Sequence, residues 1–353
     1  MRTFFRYALL ITFLPSLLYP CQKDGLLHIF VLNVGQGDAT LILAPDNTTF
    51  LIDAGDNGLG ASVVLPFLQG LGIMSLKYVI ATHYDSDHIG GLDEVLNVIG
   101  SGIEKVYDKG DARNSKSSTL AYRRYVTATG NKRSKIPLGQ LYHNDSFSIT
   151  CIAVDGAILN STTVPLDAED ENSASVVLLV SFKDFAYYTG GDLTGGGPSG
   201  SKKTRDVESR AAVAVGDVDA MKLNHHGSIT STNSTLLNVL RPEVVLISIG
   251  NGGKNQSGFH HPSQEVLARL FAFKGLQAIY QTNLGESLRN YSAEDYKLVR
   301  IANGHLKLET DGASYAINGE TFPDDQHSIR SATSALTYAA SQAIKYAPLI
   351  AKR

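Results

Sequence analysis

The densest group of reactive side chains lies in Thr82–Gly91, which reads Thr-His-Tyr-Asp-Ser-Asp-His-Ile-Gly-Gly. It places four residues that can bind a metal within six positions: His83, Asp85, Asp87 and His88. Acids and imidazoles packed this closely are costly unless a cation compensates them. A solvated turn that caps a helix would explain one aspartate, but not two histidines and two aspartates in this order. The segment therefore predicts a metal site.

Three other segments end an apolar, strand-like run with a residue that could bind a metal. Asp53 closes one run, and Asp192 follows a second run after two glycines. The pair His225 and His226 closes a third. Each signal is weak by itself, because a lone Gly-Asp is usually a turn. Taken with Thr82–Gly91, they predict a site for two ions, with a carboxylate at a strand end available to bridge them.

The elements that must position these residues alternate between strands and helices. Short strand-like runs joined by tight turns open the chain, and helical spacing follows near residues 61–71 and 90–99. A second set of strands and helices follows. Two such sets favour an α+β fold, a four-layer αββα sandwich, over a doubly wound sheet. The later strands are expected at 147–154, 175–182, 185–188, 218–224 and 244–249.

Composition limits the choice of protein class. The chain has 353 residues, 18% of them charged, and a formal net charge of −3. These values exclude a disordered or coiled-coil chain and a histone-like coat on nucleic acid. The two cysteines cannot form a disulfide framework or a four-cysteine zinc site, so histidines and carboxylates must hold any metal.

The first residues are typical of an export signal. Two arginines precede an apolar run that is shorter than the roughly 20 residues of a membrane span. We expect residues 1–21 to be a signal peptide or lipoprotein signal, with Cys21 the candidate site of a lipid anchor. A hydrophobic helix that stays attached is the alternative. The expected location is periplasmic, extracellular or lipid-anchored at a membrane surface. A hydrolase-sized domain at 27–320 and an Ala/Ser-rich tail at 323–353 would follow.

A basic stretch separates the two sets of elements. Seven lysines and arginines, among them Arg123 and Arg124, lie between Asp111 and Asp145, and no acid lies among them. Such a stretch could hold phosphate groups beside the site. A solvated insertion is the equally weighted alternative.

These motifs resemble the metallo-β-lactamase superfamily, whose pattern is an Asp, then His-x-His-x-Asp-His, a His, an Asp and a final His. More closely, residues 27–317 look like the soluble hydrolase domain of ComEC-type DNA-internalisation competence proteins. Without the multi-helix channel of those proteins, the chain is expected to be a stand-alone, exported relative. The shared motifs are Val34-Gly-Gln-Gly-Asp38, Ile52-Asp-Ala-Gly55, Thr82–Gly91, Asn172-Ser-Ala-Ser-Val-Val-Leu178, Gly191-Asp192, Asn224-His-His-Gly-Ser228 and His261-Pro262.

The resemblance implies two divalent ions, zinc or manganese, bridged by Asp192. This chain departs from the wider pattern at two positions. Asp85 replaces the second histidine of the motif, and Asn172 stands where an intermediate histidine is expected. Oxygen ligands favour a harder ion. The first ion is expected at His83, Asp85 and Asp192, with Asn172 or water beside them.

The second ion is expected at Asp87, His88, Asp192 and one of His225 and His226. Strand alternation would turn only one of the histidine pair toward the metals. His225 is favoured as the ligand, which leaves His226 as a neighbour.

The resemblance also implies roles for residues around the ions. Asp87 would orient the hydroxide formed from a bridging water, and His261 would act as general acid or phosphate contact. A turn residue is the alternative for His261. The remaining candidates would support a ligand or touch the substrate: Asp53, Asn172, His226, Ser228, Arg123 and Arg124.

The activity that the resemblance implies is hydrolysis of a phosphodiester, by a phosphodiesterase or nuclease. Hydrolysis of a smaller ester, such as a phosphorylcholine-type phosphodiester, a lactone or a lactam, is the second hypothesis. A binding protein that has lost turnover is the third. The expected partner is the phosphodiester or nucleic-acid substrate, and no stable protein partner is inferred.

Overall fold

Short apolar runs form the strands, as the sequence predicts. A computed structural model describes residues 24–112, 116–199, 202–251, 260–285 and 292–323. The described strands are β1 Leu27–Val31, β2 Thr40–Leu43, β3 Thr49–Ile52, β4 Leu76–Ile80, β5 Ile103–Asp108, β6 Arg133–Lys135, β7 Gly139–His143, β8 Phe147–Val154, β9 Ala157–Ile158, β10 Val177–Phe182, β11 Phe185–Thr189, β12 Pro198–Ser199, β13 Lys202–Lys203, β14 Ala220–Lys222, β15 Val244–Ile247, β16 Ala278–Gln281, β17 Val299–Ile301, β18 Leu306–Thr310, β19 Ser314–Ile317 and β20 Glu320–Pro323.

Helices connect these strands, and several begin at a side chain that accepts a hydrogen bond from the first turn. In three helices the capping side chain accepts a hydrogen bond from the backbone N–H three residues later in the chain; these side chains are Thr119, Asn233 and Ser263. The described helices are α1 Leu65–Gly70, α2 Ser86–Ile89, α3 Leu92–Ile99, α4 Leu120–Thr129, α5 Glu208–Val215, α6 Ser234–Leu240, α7 Gln264–Ala272 and α8 Ala293–Leu298.

The first sheet has the order β20-β19-β18-β1-β2-β3-β4-β5-β6. Strands β3 to β6 run parallel, and Ile52 at the end of β3 pairs with Ile80 at the end of β4. Parallel neighbours end at the same edge of a sheet. The residues after these two strands, Asp53 and Thr82 onward, therefore emerge side by side.

The second sheet has the order β17-β16-β15-β14-β11-β10-β8-β7, and β9 pairs with β8. Strand β11 runs parallel to β14, with Tyr188 paired to Met221. Asp192 follows β11, and the two adjacent histidines follow β14. Parallel pairing thus brings these three residues to one edge, as it does in the first sheet.

Apolar side chains between the two sheets form the central core, for example Ile29 from β1 and Val180 from β10. Helices α1, α3 and α4 cover the outer face of the first sheet, while α5, α6 and α7 cover that of the second. Strand β1 is buried along its whole length because it contributes to both faces. The predicted α+β fold with αββα layers is confirmed.

Several predictions fall outside this part of the chain. The signal at 1–21, including Cys21, lies outside the described residues, and so does the tail at 323–353 apart from Pro323. Export and lipid attachment stay predictions. Within the described residues, no helix is long and apolar enough to cross a membrane.

Candidate metal centre

Asp53 organises the loop that carries the first group of candidate ligands. Its Oδ1 accepts a hydrogen bond from the Thr82 N–H at 2.8 Å, and its Oδ2 accepts one from the Thr82 hydroxyl at 2.6 Å. The same Oδ2 accepts from His88 Nδ1 at 2.8 Å. This contact places the donor proton of His88 on Nδ1 and leaves Nε2 to face the site.

Asp192 lies at the centre of four histidines. Its Oδ1 is 3.1 Å from His88 Nε2 and 3.5 Å from His226 Nε2. Its Oδ2 is 3.8 Å from His83 Nε2 and 3.6 Å from His225 Nε2. The two carboxylate oxygens therefore face different histidine pairs, which is the arrangement that a bridging ligand requires.

The prediction that only one of His225 and His226 turns toward the metals is wrong. It assumed a strand through both residues, but β14 ends at Lys222 and a 3₁₀ turn spans Asn224–Gly227. Both histidines have positive φ, 47° and 52°, so strand alternation does not apply. Each presents Nε2 to a different oxygen of Asp192, and His225 becomes a neighbour of the first group rather than the second.

The carboxylates of the Thr82–Gly91 segment divide between the same two groups. Asp85 Oδ2 is 4.0 Å from His83 Nε2, and Asp87 Oδ2 is 3.5 Å from His226 Nε2. Asn172, in a short 3₁₀ turn, places Nδ2 3.3 Å from His225 Nε2. The first group thus comprises His83, Asp85, Asp192, His225 and Asn172, and the second comprises Asp87, His88, Asp192 and His226.

Asp38 joins the second group, although sequence reasoning did not select it as a site residue. Asp38, His88, Asp192 and His226 each place a ligand atom within 4.8 Å of the others. The signal was present, because Asp38 follows a glycine turn after a buried strand, as Asp53 follows β3. Glycine is required at position 37, since a Cβ there would lie 2.4 Å from the Asp87 carbonyl oxygen.

A buried lysine accompanies Asp38. Lys222, 1% exposed, forms an ion pair with Asp38 Oδ2 and donates to the Leu223 carbonyl at 3.0 Å. A charged pair taken out of water needs such partners. Lys222 therefore holds the Asp38 side chain in place beside the second group.

The charged groups in the centre shift one another's pKa values. Burial opposes ionisation of Asp192, but His88, His225 and His226 hold the pKa of its carboxyl well below the usual range. Burial also opposes ionisation of Asp87, and His88 together with His226 lowers that pKa as well. Burial alone would lower the pKa of His88, but the neighbouring carboxylates outweigh this effect and raise that pKa. Asp192 contributes most among these carboxylates. The carboxylates are anionic at neutral pH and attract positive charge.

The donor set fits divalent cations. Buried polar groups in proteins almost always form hydrogen bonds. Here His83 Nε2, His88 Nε2, His226 Nε2 and Asp192 Oδ1 are buried and make no hydrogen bond, and they line the two groups described above. Imidazole nitrogens and carboxylate oxygens together suit zinc or manganese.

Sequence comparison finds similar proteins of known families. Residues 32–138 match the family model described as the metallo-beta-lactamase superfamily. Over these residues the chain resembles that superfamily. It is 26% identical over 270 residues to ComE operon protein 3 of Bacillus subtilis, covering 72% of this chain and 31% of that protein. It is 28% identical over 251 residues to Recombination protein 2 of Haemophilus influenzae, covering 70% and 27%.

The resemblance to ComEC-type competence proteins is thereby confirmed. The chain spans less than a third of the length of those two relatives. A crystal structure of a diphosphatase from the PhnP family aligns with a TM-score of 0.42 and 14% identity, covering 81% of this chain and 98% of that one.

The structure also places the remaining site candidates. The ring of His261 lies 5.7 Å from that of His225 and 6.3 Å from that of His226, so it borders the centre. Ser228 is buried in the same loop, where its hydroxyl accepts a hydrogen bond from the Thr230 hydroxyl at 3.0 Å. It therefore supports the histidine turn, because Thr230 Oγ1 is also 2.8 Å from His225 Nδ1.

Arg123 and Arg124 are exposed on helix α4. They line a shallow cavity of about 260 Å³ together with Asp93 and Asn97. Arg124 donates to Asn57 Oδ1 at 2.6 Å. These two arginines lie on the α2–α3–α4 side of the domain and make no described contact with the candidate metal ligands.

Proposed function

We propose that this chain is a metal-dependent hydrolase of phosphodiesters, with nucleic acid as the main substrate class. The observation that carries the proposal is Asp192, whose two oxygens each face a separate group of histidines and carboxylates. That arrangement would hold two divalent ions side by side. One relative is named as a recombination protein, which supports a nucleic-acid substrate.

The candidate ligands form two sets, one for each ion. His83, Asp85 and His225 would bind one ion and Asp87, His88 and His226 the other, with Asp192 shared and Asp38 a further candidate for the second. Bound ions of this kind stabilise negative charge on phosphoryl oxygens and promote ionisation of water. Asp53 would keep His88 in the ligand tautomer through the contact to Nδ1.

Two residues at the edge of the centre would act on the reacting groups. The Asp87 carboxylate is about one-third exposed and ionised, so it can orient an attacking water by accepting its hydrogen bond. Burial, with His226 and His225 nearby, lowers the pKa of His261 to about 3. A neutral imidazole at pH 7 favours a phosphate contact over a general acid for His261, because a general acid must carry its proton.

The test uses the full-length chain. Bound metal is measured by inductively coupled plasma mass spectrometry, and turnover of bis-p-nitrophenyl phosphate is measured with added manganese or zinc. Bound metal with turnover that D192N lacks would support the proposal, and DNA and RNA would be assayed next. Metal without phosphodiester turnover would move the assignment to lactones, lactams or ligand binding. Failure to bind metal after reconstitution would overturn it.

A further inference from the structure

Beside the candidate centre, a single lysine on the turn before α4 reaches one of the predicted ligands. Lys116 Nζ lies 2.5 Å from Asp85 Oδ1, and its side chain is 25% exposed. The opposite oxygen, Oδ2, is the one that faces His83. Lysine and histidine therefore use different oxygens of Asp85, so the ammonium can stay at the rim while Asp85 serves as a ligand.

We propose that Lys116 binds the substrate phosphate at this rim and selects phosphodiesters over neutral esters. The inference rests on the proposed function and extends it to a residue that determines substrate class. An ammonium next to a phosphoryl oxygen forms a charge-assisted hydrogen bond. A lactone, a lactam or a neutral carboxylic ester offers no anionic oxygen in its ground state for this contact.

The turn that presents Lys116 is anchored. The Lys116 carbonyl accepts hydrogen bonds from both the N–H and the hydroxyl of Thr119, each at 3.0 Å. The Thr119 hydroxyl in turn accepts from the Tyr122 N–H at 3.2 Å, which caps helix α4. That helix buries Tyr125, whose hydroxyl donates to Asp108 Oδ2 at 2.9 Å. The lysine therefore has a fixed base, which a residue that orients substrate needs.

Other cations near the centre already have internal roles. Lys222 is paired with Asp38 in the interior, and Lys109 is fully buried 3.3 Å from Glu171 Oε1. Among the described cations that contact a candidate ligand, Lys116 is thus the one with solvent-exposed surface. Substrate arriving from solvent can reach it.

The test compares K116M and K116R with K77M as a matched control. Lys77 is 32% exposed and pairs with Glu104 at 2.7 Å, but it lies at the far end of β4 from His83. Three quantities are measured on the full chain: KM for bis-p-nitrophenyl phosphate, Kd for a fluorescein-labelled single-stranded oligonucleotide, and metal content. Turnover of p-nitrophenyl acetate serves as the neutral-ester comparison.

For K116M we expect KM and Kd to rise about tenfold, the loss of one charge-assisted hydrogen bond. Metal content and neutral-ester turnover should stay at wild-type values, K116R should recover most of the loss, and K77M should match wild type.

Equal KM and Kd in K116M and K77M would overturn the inference, and so would a parallel loss of metal. If metal-loaded wild type hydrolyses no phosphodiester, the proposed function fails while the oligonucleotide Kd still decides the role of Lys116. Absence of oligonucleotide binding to wild type in that case would overturn it.

Discussion

Asp192 is the residue on which both groups of candidate ligands depend, since each of its oxygens faces two histidines. The substitution D192N keeps the shape of the side chain but removes its charge and one acceptor oxygen. If two ions bind as proposed, metal content should fall from about two equivalents to below one, because neither group keeps its shared ligand. Turnover should fall at least about a hundredfold, since most transition-state charge stabilisation goes with the ions.

Replacing either of the two histidines after β14 should cause part of this loss of metal. H225A and H226A should each lose about one equivalent of metal, because each imidazole faces a different oxygen of Asp192. H143A is the control, since His143 is exposed at the end of β7 and remote in the fold. Metal content after dialysis is the measurement. Full retention of both ions in H225A would contradict the placement of His225 and favour Asn172 or water in its place.

At the scale of elements, close backbone contact holds α2 against the loop after β3. A Cβ on Gly91 would lie 2.4 Å from the Ala54 carbonyl oxygen and 2.5 Å from the Gly60 nitrogen. Both are backbone atoms, so the loop would have to shift to make room. We expect G91A to destabilise the chain by about 2–4 kcal/mol and to lower metal affinity, because α2 carries Asp87 and His88.

Gly70 provides the control for this prediction. It ends helix α1 with open space around the Cβ position, so G70A should be neutral or stabilise the chain by up to about 1 kcal/mol. Urea unfolding and metal titration of both variants measure the effect. Equal stability of G91A and G70A would show that the loop adjusts without cost and that the contact does not position α2.

Helix α5 supports the histidine turn through a buried acid. Glu208 Oε1 accepts from Asn224 Nδ2 at 2.8 Å and from the Thr232 N–H at 2.7 Å, and Oε2 accepts from the Asn233 N–H at 2.9 Å. Burial nevertheless raises the pKa of Glu208 to about 7, above its ordinary value of 4.5. The folded chain then retains a proton that the unfolded chain releases between these values.

Stability contributed by Glu208 should therefore fall as pH rises from about 4.5 to 7 and stay constant above that. The advantage of wild type over E208Q in metal-free unfolding should be larger at pH 5 than at pH 8, by up to about 3 kcal/mol. Urea titrations with chelator at both pH values measure the difference. A larger advantage at pH 8 would mean that the three hydrogen bonds outweigh burial and that the acid is ionised in the fold.

Residue patterns predicted the elements better than the contacts between them. Apolar runs that end in Asp53, His83 or Asp192 identify strand ends, and parallel pairing then brings those ends together. The sequence carries no such signal for the positive φ of His225 and His226, because histidine also occurs in strands. The ion pair of Asp38 and Lys222 joins the two sheets and depends on their packing, which a local pattern does not encode.

At the scale of the whole molecule, the basic stretch between Asp111 and Asp145 is not one surface. Lys132 donates to the carbonyls of Gly100 and Ile103, and Arg133 pairs with Asp108 at 2.5 Å. Arg133 also donates to the Tyr84 hydroxyl at 2.9 Å. These two side chains hold elements of the first sheet together. Among the described residues of the stretch, the charged side chains that remain for a polyanion are Arg123 and Arg124 on α4, the exposed Lys135 at the end of β6 and the partly exposed Lys116.

Neutralising the two exposed arginines of α4 should weaken nucleic-acid binding without unfolding the chain. For R123A/R124A we expect weaker binding of single-stranded DNA and a salt slope smaller by about 1.4, the value for two phosphate contacts. K297A/R300A removes the same charge from a distant, exposed surface and should leave the slope unchanged.

R133A should instead lower the free energy of unfolding by about 1–3 kcal/mol, since it leaves Asp108 buried without that partner. Titrations over a range of salt concentrations separate these cases. An unchanged slope in R123A/R124A would exclude these two arginines as phosphate contacts and leave Lys116 and the exposed Lys135 as the described candidates in the stretch.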